Sequence, residues 1–195
     1  MNPSSRRALN WAVPILAVLG LVAFLLQGAD GPANPSFRQV GGDAPATSET
    51  GRTRVAGFGE VIFRIDSTGV LFGGGGGSVS AARCALLAAT SEQVSQGLMN
   101  RTDLAGYDGM LFRFDTDIQS GFYMKDTLIP LSIVWFDAQG RFVSATDMEP
   151  CGDQPVCPTY DAEAAYRYAL EVPKGGLPDL GIVPGTRLVV GQERC

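Results

Sequence analysis

From residue 82 onward, apolar positions fall in short runs separated by Gly, Pro, Asp and Asn. Runs at 84–89, 110–114, 122–125, 133–137, 141–146, 168–172 and 187–191 predict strands: each is short, apolar and bounded by turn formers, and all but the first contain β-branched or aromatic residues. Ala138-Gln139-Gly140 predicts a hairpin turn between the fourth and fifth runs. Thr90 followed by Gln93 forms a capping box that opens a short helix ending near Gly97. The stretch 173–185 predicts loops and one helical turn. No βαβ rhythm and no internal repeat is visible. The pattern indicates an α+β domain, mainly antiparallel β with short helices, with barrel-like closure as one arrangement.

The N-terminal third reads differently. Arg6 and Arg7 precede an uncharged run, 8–29, with its apolar heart at 11–26. At ~1.5 Å per residue a helix of that length spans about 30 Å, the thickness of a bilayer core. The run has no polar face, so it is expected as an N-terminal transmembrane helix with the N-terminus in the cytoplasm and the rest outside. Cleavage near Ala29, giving a secreted chain, is the alternative. Residues 30–53 form a linker of small and polar residues that cannot offset its ordering entropy by burial. Within 54–81, Glu60–Ile65 and Val70–Phe72 suggest a hairpin, followed by five glycines at 73–77. The domain proper is 82–195. No GxxxxGK[ST] motif follows the glycines, so they do not read as a nucleotide loop.

Composition narrows the chemistry. A net charge of −5, with no basic cluster interleaved with aromatics, disfavours nucleic-acid binding. Histidine is absent, which removes Ser-His and Cys-His catalysis and imidazole zinc sites. Four cysteines allow three pairings. Cys151 and Cys157 flank a Gly/Asp/Pro loop that their pairing would close, leaving Cys84 with Cys195, as an exported domain permits. The C-x5-C spacing in a Pro-rich loop differs from redox C-x-x-C, and two paired zinc knuckles are lacking. No cofactor and no metal is expected.

Five motifs stand together: GLMNR at 97–101, GMLFRF at 109–114, GFYMKDTLIPL at 121–131, EPCGDQPVCPTY at 149–160 and LEVP at 170–173. In combination, over 84–190, they make the chain resemble the DUF192 family, a small β-rich domain whose activity is unassigned. The resemblance implies the fold and a pocket, and no reaction. The chain departs from the family pattern at Tyr123, Asp126 and Ser132, where Trp, Asn and Asp are expected. Any site that requires an amide at 126 or a carboxylate at 132 is thereby in doubt.

In an extended 122–127 segment, Tyr123, Lys125 and Thr127 would share one face, with Met124 and Asp126 on the other. Lys125 beside an aromatic and a hydroxyl suits an anion or serves as a base when desolvated; otherwise it lies over the core and pairs with an acid. Met99, Met110 and Met124 suit Cu(I) or an adaptable apolar groove, but no M-x-M run supports copper. Arg101 is a carboxylate clamp or a structural ion pair. The carboxylates Asp137, Asp147, Glu149, Asp153, Asp161 and Glu171 include the pair Asp147 and Glu149, two residues apart. The expected ligand surface joins Met99, Arg101, Tyr123, Met124, Lys125 and Thr127, closed by the Cys151–Cys157 loop with Tyr160. The leading reading is a non-catalytic binding or envelope-associated module for a small molecule or an envelope protein. The alternative is a hydrolase of an envelope component with Lys125 or Glu149 as base, and a spacer role is the third.

Overall fold

The computed structural model describes residues 51–68, 78–152 and 154–195. The expected membrane span 8–29, linker residues 30–50, Val70–Phe72 and the glycines at 73–77 lie outside the described residues. Among the described residues no helix is long and apolar enough to cross a membrane. The end of the expected linker is tied to the domain, with Thr53 N donating to Ala105 O at 2.9 Å.

The principal strands are β1 (Gly59–Asp66), β2 (Arg83–Ala88), β3 (Gly109–Ile118), β5 (Leu131–Phe136), β6 (Phe142–Met148), β8 (Tyr166–Pro173) and β9 (Arg187–Glu193). They form one seven-stranded sheet in the order β6-β5-β8-β3-β2-β1-β9. A separate ribbon pairs β4 (Phe122–Tyr123) with β7 (Thr159–Tyr160). Helix content is small: α1 (Ser91–Gln96) and a 3-10 turn at Pro178–Leu180. β1, read from sequence as half of a hairpin, is an inner strand between β2 and β9.

Most pairings are antiparallel, but β2 and β3 run parallel. Parallel neighbours need a crossover, which residues 89–108 supply through α1. The chain therefore contains a βαβ unit, contrary to the sequence reading. Its helix is one and a half turns long and buries no residue completely, so it leaves no amphipathic stripe in the sequence. The capping box is present: Thr90 Oγ1 accepts from Gln93 N, and Gln93 Oε1 accepts from Thr90 N. Gly97 ends the helix at φ 47°, in the left-handed half of backbone space that favours glycine.

No closed barrel forms among the described residues. The outer edges of β6 and β9 meet at one corner only, through the Arg141–Arg187 bridge. Phe142 N donates to Thr186 O at 3.0 Å there, and Leu188 N to Gly140 O at 2.7 Å. The predicted turn makes this approach possible. Gly140 has φ 74°, and a Cβ on it would press on the Leu188 carbonyl oxygen.

Side-chain alternation divides the core between the two faces of the sheet. Leu86, Met110, Phe112, Ile133, Trp135 and Ala169 belong to one cluster. Ala85, Leu87, Leu111, Val134, Phe136, Leu170 and Val172 belong to the other. Burying each large side chain stabilises the fold by ~1.5–3 kcal/mol before entropy is charged against it. The first cluster is covered by α1, the 97–107 segment and the β4–β7 ribbon, and the candidate site opens on this side.

Candidate ligand cleft

Three local features open a cleft beside the first cluster. β3 and β8 lose regular register where β3 advances from Arg113 to Ile118 while β8 moves only from Tyr168 to Tyr166. The outer half of β3 thus carries Phe114 and Ile118 to the cleft wall. The Tyr166 hydroxyl donates to Ser120 O at 2.5 Å, which fixes the loop leading to β4. Phe122 then seats β4 by packing edge-on against Phe112, with ring centroids 5.0 Å apart, and against Trp135 and Tyr166 at 6.3 Å. Val94 to Met99, at the end of α1 and just beyond, form the facing wall. The cavity between them is about 170 Å³ and opens to solvent at its mouth.

Glu171 lies at the floor of this cleft. In β8 it pairs with Met110 on one side and Ile133 on the other, and alternation turns it away from Leu170 and Val172. Its residue exposure is 5%. Among the described residues no hydrogen bond or ion pair engages its carboxyl. Removal from water disfavours the charged form, and burial pushes Glu171 up to about 8. The neighbouring Tyr166 phenol is also raised, to about 12, chiefly by burial. Trp135 Nε1, on the same side of the sheet, is fully buried without a hydrogen-bond partner among the described residues.

The structure brings together only part of the expected surface. Met99, Tyr123 and Thr127 line the cleft; Arg101, Met124, Lys125 and Tyr160 do not. The shared face for Tyr123, Lys125 and Thr127 is corrected by where β4 ends. The strand stops at Tyr123, Thr127 N turns back to Met124 O at 3.3 Å, and Asp126 takes φ 54°. Period-two alternation ceases at such a turn. Met124 and Thr127 are buried, whereas Tyr123, Lys125 and Asp126 are exposed. Arg101 is held by its neighbour Asp103, at 3.6 Å from the carboxylate and 3.1 Å from the backbone oxygen. The Tyr160 hydroxyl accepts from Glu149 N at 3.1 Å.

The carboxylates Asp147 and Glu149 do not form a working pair. Asp147 accepts from Ser132 Oγ at 2.5 Å, and Glu149 is paired with Lys174. Cys84 is bonded to Cys195 and Cys151 to Cys157, with Cα separations of 5.9 and 5.5 Å. Among the described residues no group of three or more His, Cys, Asp or Glu is placed to hold a metal ion.

Sequence reasoning counted Glu171 among the carboxylates without singling it out. The available signal was its place inside the apolar run Tyr168-Ala-Leu-Glu-Val172, where a charged residue must face either solvent or an enclosed site.

The fold and cleft define a class: a small, mainly antiparallel β domain with one short crossover helix and a small aromatic-walled cleft. The DUF192 profile, described as "Uncharacterized ACR", matches residues 76–190, and the chain belongs to that family. No curated protein matches it. Among solved structures it is similar to a protein from Sinorhizobium meliloti 1021 provisionally described as a transcription regulator. That likeness has 25% identity and a TM-score of 0.56, and covers 68% of this chain and 95% of the other. It is also similar to a protein of unknown function from Novosphingobium aromaticivorans DSM 12444. There the identity is 27% and the TM-score 0.55, with 75% of this chain and 92% of the other covered.

Proposed function

We propose that the chain is a non-catalytic binding module that takes a small molecule with an apolar body into the cleft between α1 and β4. The observation that carries this reading is a buried, unpartnered carboxyl at the floor of an aromatic-walled opening. Apolar walls with few convergent polar groups are the usual form of a small-molecule site. In this reading residues 8–29 tether the domain to a membrane, with the N-terminus cytoplasmic and the cleft outside. Two disulfides support an oxidising compartment. Retention of full-length protein in membranes after a carbonate wash is the expected result; release of a chain starting near Asp30 would mean cleavage instead.

The hydrolase reading needs Lys125 or Glu149 in a shared pocket. Both are exposed, neither lines the cleft, and Glu149 is engaged by Lys174. No observation favours it.

A thermal-shift panel of amines, neutral amides and alcohols, organic acids, sugars and lipids on full-length protein tests the binding reading. Ser95 is an exposed residue of the cleft wall, so Ser95→Trp should fill the opening without touching the core. At least one compound class should raise Tm in the wild type and in Lys125→Met, and lose that effect in Ser95→Trp. An empty panel, or shifts indifferent to Ser95→Trp, would count against the cleft as the site.

A further inference from the structure

Resting on the cleft reading, we infer that the cleft is selective for an organic cation: an ammonium head directed at Glu171 and an apolar body held among Phe112, Phe114, Phe122 and Tyr166. Among the described residues no Lys or Arg lines the cleft, so an anion would meet a carboxyl and no compensating charge. A neutral ligand gains at most a hydrogen bond from Glu171. A cation gains an opposite charge in a poorly solvated place and the negative faces of aromatic rings. The rings already pack edge-to-face, Phe112 on Phe122 at 5.0 Å and Phe114 on Tyr166 at 5.7 Å. Phe112 and Tyr166 are buried, so the partly exposed Phe114 and Phe122 supply the ring surface along the opening.

The charges on the surrounding elements leave Glu171 as the group that answers such a ligand. α1 carries Glu92, exposed and outside the cleft. On β3, Arg113 pairs with Glu193 at 2.9 Å and Asp117 with Arg167 of β8 at 2.9 Å, while Asp115 lies outside the cleft. β5 has no titratable side chain. The loop after β4 carries Lys125 and Asp126, both exposed and outside the cleft. Arg101 of the 97–107 segment is paired with Asp103, and the exposed Asp161 after β7 lies beside Gly121 and acts on the Tyr166 phenol without itself lining the cleft. Tyr123 of β4 and Tyr166 of β8 are the titratable groups that line the cleft with Glu171, and the Tyr166 hydroxyl is committed to Ser120 O. Burial holds Glu171 protonated up to about pH 8. Cation binding must therefore expel its proton to solvent, and affinity must rise with pH until the carboxyl is ionised in the free protein.

The test is isothermal titration of full-length protein with benzyltrimethylammonium, whose charge does not change with pH, and with its uncharged counterpart benzyl alcohol. Cation affinity should rise about tenfold per pH unit below about pH 8 and flatten above it, while benzyl alcohol shows no such slope. At pH 7, titrations in two buffers of different ionisation enthalpy should show about 0.9 proton released per cation bound. Glu171→Gln should abolish both slope and proton release, and the wild-type proton count keeps the test intact if that variant folds poorly. Equal affinity for cation and alcohol at pH 9, or no proton release, would overturn the cation assignment while leaving a neutral-ligand cleft standing. If neither probe binds, the cation assignment falls, and the cleft reading is then decided by the panel and Ser95→Trp.

Discussion

Glu171 is flanked in sequence by Leu170 and Val172, so strand geometry sends its carboxyl to the face opposite theirs, and the aromatic cover above that face takes it out of water. The consequence is a stability penalty with a definite sign. The carboxyl titrates near 4.5 when unfolded and near 8 when folded. Between those values the folded chain holds a proton that the unfolded chain has released, so rising pH disfavours folding by about 1.4 kcal/mol per unit. The penalty is absent below about pH 4.5 and fully developed above about pH 8. Urea denaturation should show wild-type stability falling relative to Glu171→Gln from pH 5 to pH 8 and running parallel beyond. A gap that stays constant across that range would mean that the carboxyl is solvated. The sequence revealed this residue only as an acid in an apolar run. Which acid is buried depends on Phe122 and α1 folding over the strand from elsewhere in the chain, and neither leaves a mark beside residue 171.

At the scale of elements, local chemistry was legible wherever it was self-contained. The Thr90–Gln93 capping box and the 138–140 turn each satisfy their own backbone groups within a few residues, and both occur in the structure. Thr90→Ala should cost about 1 kcal/mol of stability, with Thr90→Ser close to neutral, measured by urea unfolding. A loss shared equally by both variants would point away from the cap. Long-range features were not legible. The parallel β2–β3 pairing hides behind a six-residue helix. β7 is a strand only because it pairs with β4. The motif around Lys125 resembled a strand continuing through Thr127, but Asp126 bends it after two residues of β4. Lys125→Met, at an exposed site outside the cleft, should change stability by less than about 0.5 kcal/mol. A larger loss would show that the lysine supports the fold.

Across the whole molecule, two disulfides act on very different lengths of chain. Cys84–Cys195 ties β2 to the tail beyond β9 over a separation of 111 residues, whereas Cys151–Cys157 closes a separation of 6 beside the β4–β7 ribbon. Loop-closure entropy predicts that removing the long bridge costs about 4–5 kcal/mol and the short one about 2–3 kcal/mol. Guanidinium unfolding of the two double-alanine variants ranks them, and the reverse order would contradict the entropic account. The sheet makes the same point about distance. Its seven strands join residues from 59 to 193, and the one place where its two edges meet depends on a glycine at position 140. The sequence announced most of the strands, but their order comes from packing two hydrophobic faces at once.

Whether the Glu171 carboxyl faces a ligand or merely a core is decided by carbon-13 NMR titration of that carboxyl with and without benzyltrimethylammonium. The midpoint should lie near 8 in the free protein and fall when the cation is present. A midpoint in the ordinary carboxylate range, or one that the cation leaves unmoved, would contradict a ligand-facing Glu171.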